Sequence, residues 1–121
     1  MSILIQHGTL LLPDGPHAGL DVSIEGADIA SIAPGIDPVG FDTVIDATDQ
    51  LVMPGLVNAH THLAMVLLRG FADDMPLQPW LEQKIWPAEA QLTAEWVLWG
   101  SLWGCVELIR GGVTAFADMY F

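Results

Sequence analysis

Apolar and polar positions alternate in short runs over the first 50 residues, then give way to longer, nearly continuous apolar stretches. Ile3 to Gln6 and Thr9 to Leu12 are β-type runs split by Gly8, and Pro13-Asp14-Gly15 supplies turn chemistry. Leu20 to Ile24 alternates with period two, which puts Val22 and Ile24 on one face. Glu25-Gly26-Ala27-Asp28 reads as a hairpin turn, with Ile29 to Ile32 as the returning strand. Pro34, Gly35 and Pro38 interrupt the next connection before a short strand at Thr43 to Asp46. The pattern predicts a small β-sandwich or β-meander over residues 1–50.

From Leu51 the texture changes. Leu51 to Val57 is apolar almost throughout, as expected of a strand covered on both faces. Proline has no N–H to give a central ladder, so the paired part is placed at Gly55 to Ala59 with Pro54 at its entry. Leu63 to Arg69 begins a short helix or loop, and Asp73 and Asp74 are candidate N-caps ahead of Met75 and Pro76. Pro79 to Ile85 fits one or two helical turns ended by Pro87. Thr93 is the expected N-cap of a long helix, Ala94 to Arg110, which Gly111-Gly112 stops. Val113 to Asp118 then reads as another buried strand. Strand, helix and strand in this order make a βαβ unit with parallel pairing, hence an α/β fold. Trp96, Trp99 and Trp103 fall at i, i+3 and i+7 of the long helix, read as a packing face or a subunit interface.

Composition narrows the function. Hydrophobic residues make up 52% of the 121 positions and charged residues only 15%, which predicts surface that something else covers. No run of about 18 uncharged apolar residues occurs, so a membrane span is not expected. No basic segment precedes an apolar stretch at the N-terminus, and cytoplasmic residence is the expectation. A net charge of −12 repels phosphate backbones and argues against nucleic-acid binding. Cys105 is the only cysteine and sits in an apolar helical stretch, read as a packed thiol. His7 and His17 lie beside turn residues and are expected to be exposed and unconnected with a metal.

The chemistry concentrates where the apolar strand ends in His60-Thr61-His62. Residues i and i+2 of an extended strand share a face, so both imidazoles are expected to lean toward one ion. Neutral imidazole suits zinc and its first-row neighbours. Two ligands leave a site open, so other parts of a fold must complete it.

Pro54 to Leu63, with Val44-Ile45-Asp46-Ala47 before it and Leu67-Leu68-Arg69-Gly70 after it, resembles the amidohydrolase superfamily. The block Leu68 to Leu77, then Trp80-Leu81 and Ile85-Trp86-Pro87-Ala88-Glu89, is most similar to its 5-methylthioadenosine/S-adenosylhomocysteine deaminase subgroup. Asn58 stands where relatives with a carboxylated-lysine metal pair tend to carry aspartate, which favours the mononuclear deaminase branch. Asp49-Gln50 stands where many relatives have a glycine-containing turn.

The resemblance implies the start of a metal-dependent hydrolase (β/α)₈ TIM barrel over residues 51–121. The N-terminal part of a composite β-sandwich domain, residues 1–50, precedes it. About 200 or more residues are needed to close such a barrel, so the chain is expected to be incomplete as an enzyme. The implied cofactor is one divalent ion, zinc, with His60 and His62 as two of its ligands. Glu89 is implied to accept the ribose hydroxyls of a purine nucleoside, and Trp86 to offer an apolar wall to the purine or thioether. The remaining ligands and the proton shuttle are expected beyond residue 121. The implied reaction deaminates 5′-modified adenosines to the inosine analogue and ammonia. A guanine or cytosine deaminase, an s-triazine chlorohydrolase relative, or a catalytically inactive fragment are the alternatives. Self-association, or association with the missing barrel, is expected from the open apolar faces.

Overall fold

Seven strands occupy the first part of the chain: β1 (Ser2–Gln6), β2 (Thr9–Leu12), β3 (Gly15–Ala18), β4 (Asp21–Glu25), β5 (Asp28–Ala33), β6 (Thr43–Asp46) and β7 (Leu51–Val52). The structure is a computed structural model that describes residues 1–120. These residues fall into two units, the first running Met1–Pro54 and the second beginning at Gly55.

The first unit holds two mixed sheets, β5-β4-β1-β6 and β3-β2-β7. β1 pairs antiparallel with β4 but parallel with β6, and β2 pairs antiparallel with β3 but parallel with β7. A meander would have only antiparallel neighbours, so that alternative is corrected. Gly15, read as a turn residue, instead begins β3, with Pro16 next in the strand. Its place at a sheet edge explains why proline is tolerated there. Leu4, Leu10 and Val22 are the buried apolar strand residues, one each from β1, β2 and β4.

The chain leaves β1 for β2 through His7, at φ 66°, and Gly8. A Cβ on Gly8 would lie 2.7 Å from Val52 Cγ2, so the close approach of β7 requires glycine. Buried Asp21 steadies this crossing. Its carboxylate accepts from Ile36 N at 2.9 Å, His7 N at 3.3 Å and Gln6 Nε2 at 3.4 Å. Burial pushes its pKa up, but these hydrogen bonds together outweigh burial and hold it below the usual aspartate value. At the end of β6, Asp46 accepts from the Thr48 hydroxyl at 2.6 Å, Thr48 N at 3.0 Å and faces His7 Nδ1 at 3.1 Å. The Thr48 hydroxyl, then its N–H and His7, pull Asp46 down to about 2. Asp49 adopts φ 60°, the left-handed conformation that a glycine takes freely and aspartate tolerates.

The second unit runs β8 (Leu56–Thr61), a 3₁₀ helix (Leu63–Leu68), α1 (Leu77–Trp80), a π-helical stretch (Leu81–Ile85), α2 (Trp86–Glu89), α3 (Ala94–Arg110) and β9 (Val113–Asp118). β8 and β9 pair in parallel across α3, as the strand–helix–strand pattern predicts. Thr93 caps α3, its hydroxyl accepting from Trp96 N at 3.3 Å, and Gly112 at φ 78° follows the helix end. Two expectations fail between the strands. Asp73 and Asp74 cap nothing, since Pro76 precedes α1 and no side chain bonds its first turn. Pro87 does not stop a helix but enters the first turn of α2, where a missing N–H leaves no intrahelical bond unmade.

The predicted two-sided burial of the strands is also absent: Val57 is 72% and Phe116 44% exposed. Each strand has only the other as a ladder neighbour among the described residues, so its apolar faces stay open. The tryptophan face of α3 is open too, with Trp96, Trp99 and Trp103 more than half exposed. What α3 buries is a small-residue stripe. Gly100 and Gly104, one turn apart, let the helix backbone close on the 3₁₀ helix. Among the described residues no helix is long and apolar enough to cross a membrane.

A Cβ at Gly100 would lie 2.7 Å from Ala64 O, whereas at Gly104 the nearest atom is the mobile Leu63 Cδ2, at 2.8 Å. Gly100→Ala is therefore expected to destabilise by roughly 1–3 kcal/mol despite a helix-propensity gain of about 1 kcal/mol. Gly104→Ala is expected to cost less, and thermal unfolding of the two variants checks the order.

Acid should act through Asp46. A carboxylate held at about 2 against an ordinary 3.8 contributes stability that is complete above 3.8 and lost as pH falls through about 2. Urea midpoints are expected to fall over that window, and Thr48→Val to shrink the fall; identical acid profiles would contradict it.

Candidate metal and substrate site at the strand ends

β8 ends on the two histidines, but not as a uniform strand. Its register with β9 shifts between Asn58 and Thr61, and across this break the Asn58 side chain accepts the His60 N–H at 3.1 Å. A side-chain oxygen thus satisfies a backbone donor that the ladder would otherwise hold. His60 is the penultimate residue of β8, and His62 lies just past its end with φ −134°. Their rings stand edge to face with centroids 5.1 Å apart. His60 is exposed and His62 half-buried.

The strand ends are tied by a carboxylate that sequence reasoning passed over as part of a strand. Asp118 Oδ1 accepts from Leu63 N at 3.3 Å, just after His62, and from Tyr120 N at 3.2 Å. Met119 N donates to Thr61 O at 3.1 Å, extending the same junction. One acidic side chain thereby fixes the residue after His62 and the residue that carries Tyr120.

Tyr120 joins the pieces. Its ring lies 6.0 Å from that of His62, and its hydroxyl donates to Glu89 Oε1 at 2.8 Å. Burial, then the bond to Glu89, push the phenol pKa up, so the hydroxyl keeps its proton and acts as the donor. Glu89, at the end of α2, is half-buried and is linked through this tyrosine to the side of His62. Trp86, at the start of α2, is 51% exposed, and among the described residues no ring contact brings it to His60 or His62. Tyr120 carried no spacing signal of its own; a polar aromatic just after a strand end, level with a His-x-His, was the available clue.

A cavity of about 400 Å³ opens beside the 3₁₀ helix, walled by His62, Met65, Arg69, Asp73, Trp80 and Glu107 among others. Neither His60 nor Glu89 lines it, so the cavity is not where these groups meet. Two of its charges answer one another: Arg69 grips both oxygens of Glu107 at 3.0 and 2.6 Å, and Trp103 Nε1 donates to Glu107 at 2.7 Å. The Arg69 bonds, then that of Trp103, hold the Glu107 carboxyl below its usual range.

Fit to a metal rests on the imidazoles. His62 Nδ1 is buried with no hydrogen-bond partner, a costly state for a ring nitrogen that a cation or a donor relieves. Among the described residues no three His, Cys, Asp or Glu side chains gather around one point. The two imidazoles therefore suit part of a zinc-type ligand set and do not by themselves complete one.

The chain is 50% identical over 121 residues to a 5-methylthioadenosine/S-adenosylhomocysteine deaminase of Dictyoglomus turgidum, covering 100% of this chain and 28% of that protein. It is 51% identical over 120 residues to a 5′-deoxyadenosine deaminase of Methanothermobacter thermautotrophicus, covering 99% of this chain and 28% of that protein. It thus spans less than a third of the length of these curated relatives. Among solved structures, an adenosine deaminase from Xanthomonas campestris with bound zinc superposes with a TM-score of 0.89 at 38% identity, over 98% of this chain and 29% of that one. Atrazine chlorohydrolase of Arthrobacter aurescens, complexed with zinc, shares the fold at a TM-score of 0.84 and 22% identity, over 98% of this chain and 28% of that one. The amidohydrolase family profile matches residues 51–121, a stretch that begins ahead of β8 and takes in both histidines. Because that stretch is more than half of the sequence, the chain belongs to the amidohydrolase family.

Proposed function

We propose that this chain supplies the first metal ligands and the sugar-recognising carboxylate of an aminohydrolase. The reaction is hydrolytic deamination of 5′-modified adenosines to inosine analogues and ammonia. The observation that supports this reading is the Tyr120 bridge, whose hydroxyl bonds Glu89 and whose ring lies 6.0 Å from that of His62. A hydrolytic centre and a hydroxyl-binding carboxylate in one cluster are what a nucleoside deaminase requires. Relatives at about half identity named for 5-methylthioadenosine, S-adenosylhomocysteine and 5′-deoxyadenosine support the same substrate class.

His60 and His62 would hold the ion. When bound, a divalent cation supplies Lewis-acid activation of water at neutral pH. Zinc is the proposed metal, in keeping with the zinc bound by the Xanthomonas campestris adenosine deaminase. Asn58 and Asp118 hold the backbone at His60 and just after His62, which limits where the two imidazoles can stand. Glu89 has acceptor capacity left beyond the Tyr120 bond and can receive a pair of ribose hydroxyls. Trp86, half exposed at the head of the same short helix, is proposed as an apolar wall for the base or the 5′ substituent. Residues 51–121 are proposed as the opening strands of a (β/α)₈ barrel, with residues 1–50 forming part of a sandwich domain. β8 and β9 would be its first two strands, and their C-terminal ends are where such barrels place their chemistry.

In the full-length enzyme, His60→Ala and His62→Ala are each expected to lose bound metal. Turnover should fall by more than the roughly 10–100-fold typical of losing an outer-shell partner. Elemental analysis alongside rates is the check, and full metal content in both variants would remove the ligand assignment.

Glu89→Ala is expected to lower kcat/KM roughly 100-fold on 5′-deoxyadenosine, while changing its rate on the 2′,3′-dideoxy counterpart little. An equal loss on both substrates would sink the sugar-binding role.

A further inference from the structure

We propose that Tyr120 is a specificity-setting positioning residue, holding Glu89 so that its carboxylate meets the two vicinal hydroxyls of a nucleoside sugar. This rests on the sugar-binding reading of Glu89 and gives that site a second member.

Glu89 closes a helix of only four residues that follows a π-helical stretch, so its own element restrains it weakly. A glutamate side chain on such a support has several rotamers open to it, and freezing them on binding would cost affinity. Tyr120 removes that freedom beforehand. Its hydroxyl takes Oε1 at 2.8 Å, leaving Oε2 and the remaining lone pair of Oε1 for a ligand. The phenol is itself held in place. Its backbone N–H is bonded to Asp118, the same carboxylate that holds Leu63 N, and its ring lies against His62. The position of the sugar carboxylate is thereby set from the strand end that carries the histidine pair, rather than from the helix that carries Glu89. A ligand spanning both groups would find their separation already determined, the condition under which two weak contacts act as one.

The partner of stated chemistry is a cis-diol. A carboxylate with one oxygen restrained by a donor accepts two adjacent hydroxyls in a fixed plane, whereas a single hydroxyl gains little from that restraint.

Tyr120→Phe keeps the ring and removes only the donor. In the full-length enzyme it is expected to raise KM for 5′-deoxyadenosine about tenfold. Its kcat should stay within about a factor of two, and the 2′,3′-dideoxy analogue should be unaffected. Combined with Glu89→Ala it should add nothing to the loss caused by Glu89→Ala alone, because both act through one carboxylate. Equal losses on the diol and dideoxy substrates would mark Tyr120 as merely structural and overturn the proposal. So would additive losses in the double variant. If Glu89→Ala is selective for the diol while Tyr120→Phe changes nothing, the positioning role fails and the sugar site stands. If Glu89→Ala itself is unselective, the underlying reading fails with it.

Discussion

A single exposed carboxylate, Asp118, ties the ends of the two parallel strands, and the arrangement of the site follows from that tie. Parallel strands joined by a helix have no tight turn to set where they finish. Here the finish is set by Asp118, which accepts the N–H groups of Leu63 and Tyr120 at once. Fixing Leu63 fixes the chain just after His62, and fixing Tyr120 brings a phenol against that histidine and onto Glu89. Three elements far apart in sequence are gathered by groups that are individually modest in strength.

Close backbone packing supports this junction from below. The 3₁₀ helix that follows His62 lies on α3 at Gly100 and Gly104, where a methyl group would already collide. A helix so rich in tryptophan and leucine is expected, on hydrophobicity alone, to bury its largest side chains first. It buries its smallest, because backbone-to-backbone approach is what holds the short helix close. The large apolar residues of α3, β8 and β9 stay exposed instead. Within the proposed barrel these are the faces that neighbouring strands and helices would cover, and the same proposal accounts for the low share of charged residues.

The first unit uses polar chemistry differently. Asp21 is buried, yet its hydrogen bonds to Ile36, Gln6 and His7 keep it ionised against the pull of burial. It serves the crossing between two sheets, where the chain must reverse through a left-handed His7. Both histidines of this unit face carboxylates: His7 faces Asp46 at 3.1 Å, and His17 faces Asp14 at 2.9 Å.

Much of this was open to reading from residues alone, where the cause is local. Period-two alternation marked β4, the hairpin turn after it marked β5, Thr93 and the Gly111-Gly112 pair bounded α3, and an apolar run closing on His60-Thr61-His62 marked the strand β8. The family resemblance rested on that stretch together with short segments between Val44 and Glu89, and relatives at about half identity bear it out. What needed the folded chain was every decision made between distant segments. The parallel partners of β1 and β2, the edge position that admits Pro16, the glycine face chosen by α3, and the meeting of Tyr120 with Glu89 and His62 leave no spacing in the sequence. Caps, turns and periodicity act over a few residues and are written there. Pairing and convergence are set by which surfaces close on one another, and that information exists only once the chain has folded.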